Sequence, residues 1–256
     1  MTWRDDPKHP FAGIAEKLKR ADENIGNLKS EIDLFIESGE YPVIAKVNSE
    51  MWKKAMAYHR EKPIPLRFSV LAGEVVHHLR SCLDHIVWHF SDDTSRRIAQ
   101  NAIEFPILEF EPTKKNEIER YERKIQGITK ANVLSLIKDM QPYNAGADTA
   151  HHALLIVHNM DRFDKHRELV IINSNVEVNF PPGLEAIQRK ADLFNQGKLP
   201  QAEHLNLSHA LVDYGKAAPS VGFRNFGQWG AYSVIKGLAQ LQIIVDNVVA
   251  EFASEV

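Results

Sequence analysis

Residues 66–91 read LRFSVLAGEVVHHLRSCLDHIVWHFS, the longest helical pattern in the chain. Phe68, Val75, Leu79, Leu83, Ile86 and Phe90 recur at spacings of three, four and seven. At roughly 100° per residue they fall on one stripe. A stripe of that kind must be buried against other elements, so the segment predicts a core helix in a mainly helical protein. The polar residues sort by the same arithmetic. His78, His85 and His89 share one flank, Arg80 lies on the other, and His77, Asp84 and Trp88 point away from the core. An outward Trp88 predicts cover from a second layer or a second subunit. Cys82 falls on the core side, which predicts a buried, inert thiol.

Other segments extend the helical reading outward. Ile14, Leu18, Ile25, Leu28, Ile32 and Phe35 predict a helix over 11–38, closed by Gly39. Helices are predicted around 113–124 and 129–139, the second ended by Gln141-Pro142-Tyr143, and another over 184–196. A helix over 148–167 is expected to be capped by Asp148 or Thr149. The last helix, 230–253, stripes Val234, Leu238, Leu241, Val245, Val248 and Phe252. Strand patterns are secondary: a β insertion at about 41–60, two pieces within about 169–180, and one or two within about 217–227. No repeat or clear linker interrupts the chain. The expectation is one domain over 1–256, a helical bundle with a small peripheral β hairpin or sheet.

Composition limits the function classes. The 256 residues carry a formal net charge of −3, and no block of five like charges occurs. A general nucleic-acid coating role lacks the basic excess it needs, although a local patch could still touch RNA. One cysteine rules out an intramolecular disulfide and any zinc site built on cysteines. Residues 1–11 lack the apolar run of a signal peptide, and no stretch is long enough to span a bilayer. A soluble, cytoplasmic protein without membrane partners is expected. Gly-x-Ser-x-Gly, Walker-type and Gly-x-Gly-x-x-Gly patterns are absent, which leaves nucleotide-binding and α/β-hydrolase readings without an anchor.

The second informative helix is 148–167. Ala150, Ala153, Leu154, Val157 and Met160 form its core stripe, Asp161 and Asp164 extend that stripe, and His151, His158, Arg162 and Lys165 run along a flank. Carboxylates on a core-facing stripe need partners, because an unpaired buried charge is costly. The two helices are therefore expected to pack, with Asp161 or Asp164 meeting Arg80 or His85.

The stretch Leu79-Arg80-Ser81-Cys82-Leu83-Asp84-His85 resembles the Arg-x4-His motif of HEPN-family proteins. The resemblance implies a helical-bundle, metal-independent RNase of the toxin–antitoxin or phage-defence kind, acting as a homodimer on RNA and held by an antitoxin or other protein partner. It places catalysis on Arg80 and His85, which would polarise the scissile phosphate and serve the 2′-hydroxyl or the leaving oxygen. Residues five apart differ by roughly 140° on a regular helix, so the two share a face only with an irregularity or a partner subunit. Asp84, His158, Asp161, Asp164, Lys165 and His166 would orient or supplement them. Arg80–His85, Phe105-Pro106-Ile107, Gln141-Pro142-Tyr143 and Asp164-Lys165-His166-Arg167 together also resemble a family of uncharacterised bacterial proteins, which implies no activity.

Two other readings stay open. His85 and His89 stand i, i+4 and can reach one divalent metal ion, with His78 a turn back and His158 or Asp161 completing a hydrolytic site. Alternatively the chain is a non-catalytic scaffold or binding protein, with the histidines individually satisfied and Arg80 pairing with Asp84 on a helix surface.

Overall fold

The computed structural model describes residues 2–37, 64–166, 172–179, 183–187, 189–190, 216–223 and 233–256. The protein is mainly helical. Its helices are α1 (Ala12–Glu37), α2 (Leu66–Phe90), α3 (Asp93–Ile98), α4 (Lys115–Lys124), α5 (Ala131–Asp139), α6 (Ala153–His166) and α7 (Val234–Ala253), with a 3₁₀ segment over Pro142–His151. The strands β1 (Ile172–Asn179) and β2 (Lys216–Phe223) pair antiparallel, Ile172 opposite Phe223 and Asn179 opposite Lys216. Among the described residues no helix is long and apolar enough to cross a membrane.

The predicted stripes are the buried ones. Val75, Leu79, Leu83 and Ile86 of α2 are fully buried, as are Val234, Leu238, Leu241, Val245 and Phe252 of α7. Cys82 is also buried, its thiol directed at the Ile14 carbonyl at 3.8 Å. Burial pushes that thiol up to about 12, which removes the thiolate a nucleophile needs.

The chain divides into two compact units, each assembled from separated segments. The first comprises Met1–Ile25, Gly73–Glu168 and Leu238–Val256. Phe11, Leu79, Phe105, Met160 and Phe252 are among its buried side chains, with Phe105 and Phe252 edge to face at 6.0 Å. The second comprises Gly26–Ala72 and Leu169–Gly237. In it Phe35 meets Phe68 edge to face at 5.6 Å, and Glu31 accepts from Arg67 Nε at 2.8 Å.

Several expectations need correction. The helix anticipated over 148–167 begins only at Ala153, and the residues before it form the 3₁₀ segment, broken at Gly146 with φ +58°. Thr149 donates its hydroxyl to the Gly146 carbonyl at 2.7 Å and so stabilises that turn rather than capping α6. Ala150 is exposed instead of core-facing. Of the strand pieces expected within 169–180, the described part is one continuous strand, Ile172–Asn179, and 169–171 lie outside the described residues. The β insertion expected at 41–60 lies outside the described residues. Trp88 is 39% exposed, covered in part by the Arg96 guanidinium 5.9 Å from its ring.

Candidate functional site

α2 and α6 face one another within the first unit, and their contact is polar along one edge. His77, Arg80 and Asp84 recur on α2 at three, four and seven, and His158, Asp161, Arg162 and Lys165 do the same on α6, so each set forms one stripe. His77 Nδ1 stands 3.0 Å from Asp161 Oδ1. The other Asp161 oxygen meets Lys165 Nζ at 2.7 Å. Asp161 is buried, with a side chain 8% exposed, whereas that of His77 is 52% exposed. A carboxylate only accepts, so Nδ1 of His77 is the donor of the pair, and Nε2 is the ring nitrogen left outside it. The outcome is a solvent-facing imidazole oriented by a buried carboxylate, itself balanced by an ammonium.

Arg80 serves a different end. Its Nη2 donates to the Phe105 carbonyl at 2.9 Å, while Asp84 Oδ1 accepts from the Phe105 backbone N–H, also at 2.9 Å. One turn of α2 thus satisfies both polar groups of a backbone residue that lies in neither helix nor strand and is fully buried. Arg80 Nη1 is 2.9 Å from Asp84 Oδ1, close enough for an ion pair, but its N–H points off the line of a hydrogen bond. Burial raises the Asp84 carboxyl above its ordinary value, against the pull of Arg80 and the Phe105 N–H. Gln141, equally buried, continues the same work one residue on. Its amide donates to the carbonyls of Pro106 and Ile137, both at 2.8 Å, and its oxygen accepts from the Leu108 N–H at 3.1 Å.

Beside Arg80 the network widens. Glu104 lies 3.7 Å from Arg80 Nη2 and 2.5 Å from Lys124 Nζ. Burial pushes the Glu104 carboxyl up, but Lys124, Arg80 and His158 outweigh it and the net shift is downward. His158 is held down to about 4, first by burial and then by the charges of Arg80, Lys124 and Arg162. It is a neutral imidazole at neutral pH. Arg162 is exposed and makes no ion pair among the described residues.

The structure therefore gathers Arg80, Asp84, His158, Asp161 and Lys165, but not with the expected partners. Asp161 meets His77 rather than Arg80 or His85. Asp164 packs against Gly73 of α2, where an added Cβ would stand 2.7 Å from Oδ1. His166 ends α6, and its side chain is outside the described residues, as is Arg167. No contact joins Arg80 to His85: the guanidinium is buried on Phe105, whereas His85 is exposed near Lys17, with burial and that cation lowering its pKa.

Nor do the candidate metal ligands converge. His89 packs edge to face on Phe11 at 5.3 Å, His78 neighbours His77, and His158 sits among cations. Among the described residues no three or more His, Cys, Asp or Glu side chains form a metal-binding group. His151 lies in the 3₁₀ segment, 3.9 Å from Asp148, and so drops out of the α6 stripe.

His77 was absent from the expected site because its direction on α2, taken alone, is outward. Its signal was the seven-residue spacing to Asp84 on a helix whose partner carries carboxylates. No protein-family model matches the chain, and neither a curated protein nor a solved structure does.

Proposed function

We propose that this chain is a metal-independent RNA endonuclease whose acid–base residue is His77, oriented by Asp161. The observation that carries the proposal is the His77–Asp161–Lys165 chain, with its exposed imidazole and buried carboxylate. In the chemistry this arrangement supports, Nε2 of His77 takes the proton of a ribose 2′-hydroxyl. The 2′-oxygen attacks phosphorus, the bond to the 5′-oxygen breaks, and the proton returns to that oxygen through solvent. Products are a 2′,3′-cyclic phosphate and a 5′-hydroxyl. Arg162 and Lys165, one and four residues beyond Asp161, are placed to steady the charge of the phosphorane.

The test is cleavage of single-stranded and structured RNAs in EDTA by the wild type, His77→Ala and His85→Ala. Activity that survives EDTA, disappears in His77→Ala and persists in His85→Ala is expected. Inactivity of folded wild type on every RNA overturns the nuclease proposal, and loss confined to His85→Ala overturns the choice of His77.

A second reading, a non-catalytic scaffold or binding protein, is favoured by the Arg80–Asp84 clasp on Phe105, which accounts for both residues without any chemistry. The same assay separates the two.

A further inference from the structure

On another side of α4 from Lys124, the first unit holds an open pocket of about 560 Å³, a volume typical of small-ligand sites. Its wall includes Tyr121, Tyr143, Ile118, Ile125, Leu134 and Gln126. Tyr121 and Tyr143, both half-buried, give the wall two aromatic rings on which a flat ligand can stack. Burial pushes the Tyr121 phenol up to about 12, and the Tyr143 phenol contributes to the rise, so the two hydroxyls are neutral neighbours.

The rim excludes one class of ligand. Glu111 and Glu122 place two carboxylates there against one ammonium, Lys138. A phosphate would be repelled, whereas the exocyclic amines of a base would find acceptors. We infer that this pocket takes a nucleobase, stacked on Tyr121 or Tyr143, with an exocyclic amine at its edge donating to Glu111 or Glu122. Single-stranded RNA is recognised by that combination of aromatic stacking and edge contacts. The inference rests on the RNA-nuclease proposal for its biological meaning.

The experiment uses the full chain and free ribonucleosides, which carry no phosphate. Adenosine, guanosine, cytidine and uridine are titrated separately and followed by protein NMR shifts, with inorganic phosphate as competitor. Saturable binding of at least one nucleoside is expected, undisturbed by phosphate and by His77→Ala. Tyr121→Ala should weaken it roughly tenfold or more, while Tyr121→Phe, which keeps the ring, should not. If no nucleoside binds, or if binding is indifferent to Tyr121→Ala and Tyr143→Ala in folded variants, the base pocket is overturned. RNA cleavage in that case leaves the nuclease standing. Nucleoside binding by a chain that cuts no RNA supports the pocket and sinks the nuclease.

Discussion

His77 and Asp161 form a carboxylate–imidazole pair between α2 and α6, Nδ1 to Oδ1 at 3.0 Å, and the two ends of the pair face opposite surroundings. Asp161 is buried and His77 is half exposed. A buried carboxylate cannot be left without partners, so the pair and Lys165 stand or fall together.

Asp161→Asn keeps the shape of that arrangement but removes the charge that fixes the imidazole tautomer. Cleavage in EDTA should fall by roughly 100-fold, within the range that positioned acid–base groups supply. Thermal unfolding measured alongside should show a variant still folded at the assay temperature. Unchanged cleavage would remove Asp161 from the machinery.

Arg80→Ala should act on stability instead. It strands the Phe105 carbonyl and leaves Asp84 without its cation, a loss of about 3 kcal/mol, seen as a lower urea midpoint. Arg80→Lys should recover only part, because one ammonium cannot match the planar fork on both partners. Cleavage per folded molecule should be preserved, and its abolition in folded protein would show that Arg80 acts in the chemistry after all.

Gly73→Ala tests the close approach of Asp164. Alanine in a helix interior ordinarily gains about 1 kcal/mol over glycine. Here the new Cβ would meet Oδ1 at 2.7 Å and Cγ at 2.9 Å, so the variant should be destabilised. In a double-mutant cycle, Asp164→Ala should make Gly73→Ala less costly or favourable. Additive effects in urea titrations would show that the carboxylate moves aside freely.

Stability should also depend on pH through His158. Its folded value of about 4 lies below the ordinary 6.5, so between the two the unfolded chain binds a proton that the folded chain does not. Stability therefore rises with pH across that window and levels off above it. His78, His85, His89 and His152 are lowered as well and contribute in the same direction, while the raised Asp84 carboxyl contributes oppositely. Urea unfolding of His158→Gln should show a shallower rise from about pH 4 to pH 6.5 than the wild type. An identical slope would mean that His158 is protonated in the folded state too.

Much of the fold was legible because helical periodicity is local. The apolar spacings of 66–91 and 230–253 name the buried stripes of α2 and α7 directly, and the position of Cys82 within its stripe is enough to bury it. The beginning of α6 was not legible. The residues 148–151 have helical promise in isolation, but the turn around Gly146 and the Thr149–Gly146 bond take them into a 3₁₀ segment.

The short α3 and the 3₁₀ segment were not read from the amino-acid sequence. What it determined by itself was the long helices α1, α2 and α7, the apolar face each buries, and the fact that carboxylates on α6 needed partners. Covalent geometry dictates these, since side-chain direction along a helix follows from residue number. Which groups meet was decided only by the tertiary structure. Arg80 found the backbone of Phe105 because that irregular segment, with no ladder of its own, runs past α2 and must have its buried N–H and C=O paired. Asp161 then found His77, a residue whose outward direction on α2 becomes an inter-helix direction once α6 is packed beside it. The rotation and offset between two helices depend on how every layer around them packs, and no spacing within either helix records that.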